Sequence, residues 1–145
     1  MVLLVVRVKV GLRRGDREVE TSALANSGYE SETPQVLMPI KVAELLSLWP
    51  PAREVEESVF ETAGGPLRVW IASRAVKIKV VAPDADTQYI DADAVVSPIA
   101  DEVLLSDKMI SELGLALEDV GKGHWRFMWE PKERVRRSEP PKYWR

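Results

Sequence analysis

Val6-Arg7-Val8-Lys9-Val10 alternates apolar and charged side chains at every step. Successive side chains of a strand point to opposite faces, so this stretch buries one face and wets the other only as a β-strand. A helix would scatter its valines around the surface. The same alternation returns where Val76, Ile78 and Val80 are set against Lys77 and Lys79. Half-buried strands must pair, and the sequence predicts a mostly β protein. The first strand is read from Val2 to Val10, the second through Val19, Thr21, Ala23 and Ala25. Further strands are read at Gln35 to Pro39, Glu54 to Thr62, Leu67 to Ala72, Ser73 to Ala82, Tyr89 to Val96 and His124 to Trp129.

Punctuation between these runs is clear. Gly11 to Asp16 reads as a turn; its Arg14-Gly15-Asp16 matches an adhesion tripeptide but is taken as a polar hairpin tip. Ala63-Gly64-Gly65-Pro66 between two strand-like runs predicts a hairpin with a mobile tip. Pro83 to Gln88 is another turn. Two segments switch to helical spacing. Val42, Leu45, Leu46 and Trp49 place a helix over Ile40 to Trp49, stopped by Pro50-Pro51. Ser106 is positioned to cap a second helix from Asp107 to about Gly114, with Met109, Ile110 and Leu113 as its apolar stripe and Gly114 as its stop.

Composition removes several chemistries. The chain has no cysteine, which excludes disulfides, thiolate catalysis and thiolate-ligated metals. His124 is the one histidine, between Gly123 and Trp125, and no G-x-S-x-G elbow exists to serve with it. The apolar start is short and carries Arg7 and Lys9, so it is not read as a membrane span, and it lacks the pattern of a signal peptide; the expected location is cytoplasmic. At 145 residues the chain is read as one domain, residues 1–130, followed by a basic, proline-rich C-terminal tail, residues 131–145. From Lys132 onward there are six basic and two acidic residues, while the whole chain carries a net charge of -3. The tail is basic and the body acidic. Tyr143 and Trp144 among the tail's charges fit stacking on single-stranded nucleic acid, a flexible extension, or docking onto an acidic body.

The acidic residues Asp84, Asp86, Asp91, Asp93, Asp101, Glu102 and Asp107 fall in a stretch without Lys or Arg. Oxygen ligands suit a divalent cation, but the spacing matches no EF-hand and the alternation Asp91-Ala92-Asp93-Ala94 reads as a solvated strand face. No metal or other cofactor is expected. Glu30 and Glu32 stand where they line a cleft or are simply solvated. Trp125, Phe127 and Trp129 alternate and are assigned to one face of the last strand, in the core or at a dimer seam.

Asn26 is the only asparagine, in a chain with two glutamines and 30% charged residues. Avoiding thermolabile side chains while carrying heavy charge is the composition of proteins from hot environments, so a lone Asn in Ala25-Asn26-Ser27-Gly28 stands out. By itself Asn-Ser-Gly is a good turn. Its surroundings say more. After it come Val36-Leu37-Met38-Pro39-Ile40, the helix Ala43 to Leu48, the Gly64-Gly65 hairpin, and Leu104-Leu105-Ser106 leading into Asp107 to Leu115. This order resembles that of the retropepsin-like aspartic proteases, over roughly residues 2–130. The resemblance implies a closed β-barrel with two short helices, a homodimer, and a peptide cleft under a flap tipped by Gly64 and Gly65. It implies a catalytic loop at Asn26, Ser27 and Gly28, an extended peptide or unfolded protein as substrate, and no role for nucleic acid or membrane.

Two positions depart from the family pattern: Asn26 stands at the catalytic aspartate, and Ser106 at the glycine of the second signature. In the family, two carboxylates, one per subunit, share a proton. One takes a proton from water and the other polarises the scissile carbonyl. An amide cannot act as that base near neutrality. It is nearly isosteric with the acid, however, so the expected form is an intact fold with inactive or strongly impaired hydrolysis, and an acid endopeptidase for Asn26→Asp. Asn26 is read either as a native feature of a binding protein or as an introduced change, and deamidation at Asn26-Ser27 would slowly restore the acid. Ser27 is expected to hydrogen-bond across the dimer and Gly28 to let the loop turn tightly. The rival reading is a non-enzymatic β-barrel that binds nucleic acid or protein through its basic tail.

Overall fold

The computed structural model describes residues 5–53 and 55–145. The start of the predicted Val2–Val10 strand and Glu54 lie outside the described residues. Arg7–Arg14 (β1) and Arg17–Ala25 (β2) form an antiparallel hairpin in full register from Arg7↔Leu24 to Arg14↔Arg17. Its turn is only Gly15-Asp16, with Gly15 at φ +61°. The strand therefore continues past Gly11, where a turn was predicted. The reason is a second partner: Gly11 and Leu12 also pair with Lys79 and Ile78, and Leu12 is fully buried. A Cβ on Gly11 would make ordinary van der Waals contact with Tyr89 and Val81 at 3.7 Å, and the residue is a paired strand position rather than a bend.

Gln35–Pro39 (β3) runs directly into Ile40–Leu45 (α1). The helix stops short of Trp49 because Ser47 adopts φ +58°; Leu46 and Leu48 stay buried in the turn that follows. Glu56–Thr62 (β4) and Gly65–Val80 (β5) make the glycine-tipped hairpin, Thr62↔Gly65 through Glu56↔Ile71. The two strands read at Leu67–Ala72 and Ser73–Ala82 are one sixteen-residue strand. Between them the register shifts at a bulge, where Arg74 has φ +48°. Ile90–Ser97 (β6), Val103–Leu105 (β7) and Asp107–Glu112 (α2) follow. Leu115–Asp119 (β8), His124–Phe127 (β9) and Arg136–Arg137 (β10) form a separate three-stranded sheet.

The protein is mostly β, and six strands close into a barrel in the order β1-β2-β7-β3-β6-β5, with β5 returning to β1 through Val10↔Val80. Strand β4 hangs outside the ring on the first half of β5. Closure leaves the ring without a free edge. The alternating valines of β1 and β5 fill its interior: Val8, Val10, Leu12, Ile78 and Val80 are each at most 2% exposed. Transfer of such side chains from water is worth about 1.5–3 kcal/mol each.

Strand β7 decides the topology. It lies parallel to β2 and antiparallel to β3, wedged between them. Strands β2 and β3 are consecutive in the chain yet not neighbours in the sheet, so the connection from Asn26 to Pro34 must cross over the end of β7. Asn26 N–H donates to Leu105 O at 3.2 Å, at the point where the crossing begins.

The C-terminal segment is docked on the barrel. Arg7 N–H donates to Ser138 Oγ, Glu139 N–H to Arg7 O, Lys142 N–H to Ser22 Oγ, and the Trp144 indole to Thr21 Oγ1. Of the readings open for the tail, docking onto the acidic body is the one seen. Its anchor is Arg136, which forks onto Glu130 at 2.9 and 2.8 Å, reaches Asp84 at 2.9 Å, and lies over the rings of Trp125 and Phe127. The side chains of Arg136 and Glu130 are only 10% and 15% exposed. The final predicted strand ends at Phe127; Trp129 turns outward, 63% exposed, but still stacks on Phe127 at 4.5 Å.

Hydrogen bonds from Arg136 hold the carboxyls of both Glu130 and Asp84 below the usual carboxylate range. A depressed folded-state carboxyl stabilises above the ordinary range, and that contribution disappears as pH falls through the depressed value. Arg136→Ala is therefore expected to cost roughly 1–3 kcal/mol at neutral pH. Urea unfolding of the two proteins should show that difference shrinking as the solution is taken to acid; a pH-independent difference would assign it to packing over the two rings alone.

Candidate functional site

The crossing loop is organised by its own polar groups. The Asn26 side-chain oxygen accepts the Gly28 N–H at 3.1 Å, and Asn26 O accepts the Tyr29 N–H at 3.0 Å. This is an Asx turn followed by a backbone turn. A Cβ on Gly28 would sit 3.3 Å from the Asn26 oxygen, a tight contact that glycine avoids. Asn26 is half-buried, while Ser27 and Gly28 are exposed.

Helix α2 holds the far side of the loop. Asp107 N–H donates to Tyr29 O at 2.8 Å, and the Asp107 carboxylate accepts Ser31 N–H at 3.0 Å. Ser106 is fully buried, and its hydroxyl accepts both Met109 N–H, as the predicted helix cap, and Gln35 N–H at 3.1 Å. One side chain thus ties the helix start to β3. A glycine there could do neither.

A cleft of about 940 Å³ opens between this loop and the β4–β5 hairpin. Asn26 and Gly28 line one side, and Phe60, Thr62 and Ala63 the other. The predicted loop and the predicted hairpin therefore face the same space. Ser27 is not among the residues that line it, nor are Gly64 and Gly65 at the hairpin tip, where Gly65 has φ +109° and Thr62 Oγ1 donates to Gly65 O at 2.6 Å. Glu30 and Glu32 are exposed and line the cleft.

Several cleft residues escape a sequence reading. Tyr29 donates its hydroxyl to Gln35 Oε1 at 2.7 Å, and its ring lies 6.4 Å from that of Phe60. Burial, and then the nearby Asp93 carboxylate, push the phenol well above its usual range, so it stays a neutral donor. Leu37, Leu67 and Leu104 complete an apolar floor. The only signal for Tyr29 is an aromatic directly after the Asn-Ser-Gly turn.

Asp93 also differs from its reading as a solvated residue. It is 9% exposed and accepts both Thr33 Oγ1 at 2.6 Å and Arg74 N–H at 2.7 Å. It links the loop after the site to the bulge of β5. Four of the other acids of that stretch meet cations, Asp91 with Lys77 and Arg74, Asp84 with Arg134 and Arg136, Asp101 with Arg145, and Glu102 with Arg7, while Asp86 and Asp107 are in no ion pair among the described residues. Among the described residues no three His, Asp or Glu side chains are grouped to hold a metal ion. His124 stands on β9, away from the cleft lining. Among the described residues no helix is long and apolar enough to cross a membrane.

No family model matches the chain, and no curated protein matches its sequence.

Asn26→Asp keeps the oxygen that accepts Gly28 N–H and should leave the urea midpoint nearly unchanged, whereas Asn26→Ala removes the Asx turn and should cost about 1 kcal/mol. Ser106→Ala strands two backbone donors in a buried site and is expected to lose about 1–3 kcal/mol, measured the same way.

Proposed function

We propose that the protein is a homodimer of the retropepsin-like aspartic-protease type that holds extended peptide in the cleft, with Asn26 leaving hydrolysis absent or strongly impaired. The observation that carries this reading is the shared cleft. The Asn26-Ser27-Gly28 loop, anchored at the end of β7, and the glycine-tipped β4–β5 hairpin come from distant parts of the chain, yet both border one cleft. The order of elements supports it too. A strand enters the Asn-Ser-Gly turn, an apolar strand leads into a helix, a hairpin follows, and a short apolar strand runs into a capped helix.

In such a dimer, two Asn26 side chains meet across the twofold axis. Two amides can hydrogen-bond to each other without a shared proton, and neither can deprotonate water near neutral pH. The exposed Ser27 hydroxyl makes no hydrogen bond within the protomer among the described residues and is free to bond to the opposite loop. Edges of the β4–β5 hairpin and of the loop offer backbone groups to an extended peptide.

The rival reading, a barrel binding nucleic acid or protein through its basic tail, has weaker support. Arg134, Arg136 and Arg145 are already paired with carboxylates of the body.

Restoring the acid is the decisive experiment. With a denatured protein as substrate across about pH 3 to 7, Asn26→Asp should cleave with an acid optimum set by a shared proton. The Asn26 protein should be slower by roughly a hundredfold or more. Equal inactivity of both removes the protease reading, and so does sedimentation of both as strict monomers, since one loop alone supplies only half the site.

A further inference from the structure

Resting on the peptide-cleft reading, we propose that the cleft selects basic peptides: an extended segment that places one large apolar side chain on the floor and lysine or arginine residues at the rim. The floor is a distinct structural feature. Leu37, Val69 and Val95 form a small buried cluster separate from the main core, and Tyr29, Phe60 and Leu67 pack against it from the cleft side. This second cluster is unfinished. Leu67 and Phe60 remain partly exposed, and Val59 beside them on β4 is 57% exposed. An apolar side chain of a ligand completes it, at about 25 cal/mol per Å² of surface removed from water.

The rim supplies the charge selection. Glu30 and Glu32 come from the crossing loop and Glu61 from β4, so carboxylates flank the floor from both sides. None of the three is in an ion pair among the described residues, although Glu57 on the same strand pairs with Arg68. Among the described residues no Lys or Arg lines the cleft. Among the described residues Asp84, Asp91, Asp101, Glu102 and Glu130 each meet a cation, whereas Glu30, Glu32 and Glu61 do not, so the charged side chains that line this cleft are all negative. Charge of one sign along a concave, low-dielectric wall raises the local concentration of the opposite charge. A peptide bearing Lys or Arg beside its apolar anchor satisfies both features, whereas an acidic peptide or a nucleic acid is repelled.

The test uses the full-length Asn26 protein and three fluorescein-labelled decapeptides with the same central leucine–phenylalanine pair, flanked by lysines, by serines or by glutamates. Anisotropy titrations at low salt should give a lysine-flanked affinity about tenfold above the serine-flanked one, with the glutamate-flanked peptide weakest. That spread should narrow at about 500 mM salt, where surface charges are screened. The triple variant Glu30→Gln, Glu32→Gln, Glu61→Gln should erase the lysine advantage, so that lysine-flanked and serine-flanked peptides bind it alike. Equal binding of all three peptides overturns the charge selection while leaving the peptide cleft standing. Preserved lysine preference in the triple variant also overturns it, by placing the selection elsewhere. Binding of none of the peptides rejects both this inference and the cleft reading beneath it.

Discussion

A three-residue strand, Val103–Leu105, inserted between β2 and β3 is the constraint on which the rest of the molecule depends. Its backbone completes the hydrogen bonding of two strands that are consecutive in sequence, and Val103 and Leu105 plug the barrel interior. Because the sheet is closed, the chain leaving β2 has no edge to run along. It must climb over the end of β7, and the climb exposes a short polar turn at the barrel's rim. The site loop is thus a consequence of strand order. What is particular to this chain is how the loop is tied down: Asn26 to the carbonyl of Leu105, Tyr29 to Asp107, and β3 to Ser106.

The same economy of partners explains the dispersal of the acids. An acidic body gains little from crowding its carboxylates, and Asp84, Asp91, Asp101, Glu102 and Glu130 each take a cation. Arg136 does most for the tail. It exchanges solvent for two carboxylates and two aromatic faces at once, which holds a proline-rich, highly charged segment that has little apolar surface of its own to bury. The tail then covers the outer side of β1 and β2. Around the cleft, Glu30, Glu32 and Glu61 have no cation partner among the described residues, and an apolar cluster is left partly open. Surfaces that spend neither charge nor apolar area internally are available to a ligand.

At Asn26 shape and chemistry separate. The side-chain oxygen that builds the turn is common to amide and acid, so local geometry is indifferent to the exchange. The ability to take a proton from water is not. Neutral Tyr29 and uncharged Asn26 leave the interior of the loop without titrating groups, while the carboxylates stand at its margins.

Much of this was legible in the sequence because its cause is local. Period-two valines specified β1 and β5, Ser106 announced the start of α2, and Gly64-Gly65 marked the hairpin, since alternation, capping and left-handed glycines act over a few residues. Where partners are distant, the sequence was silent. Strand β10 consists of two arginines and exists only because Glu130, Asp84, Trp125 and Phe127 converge on it. Gly11 continues a strand because β5, nearly seventy positions later, pairs with it. Asp93 looks solvated until Thr33 and Arg74 are brought to it. Asn26-Ser27-Gly28 could be recognised as a turn, but the cleft it borders needed β4 folded back over it. The sequence by itself determined which segments are strands and which residues turn the chain, because those preferences are short-range. Only the tertiary structure decided which strands are neighbours, which charges are left unpaired and what the turn faces, because those depend on groups that meet only when the barrel closes.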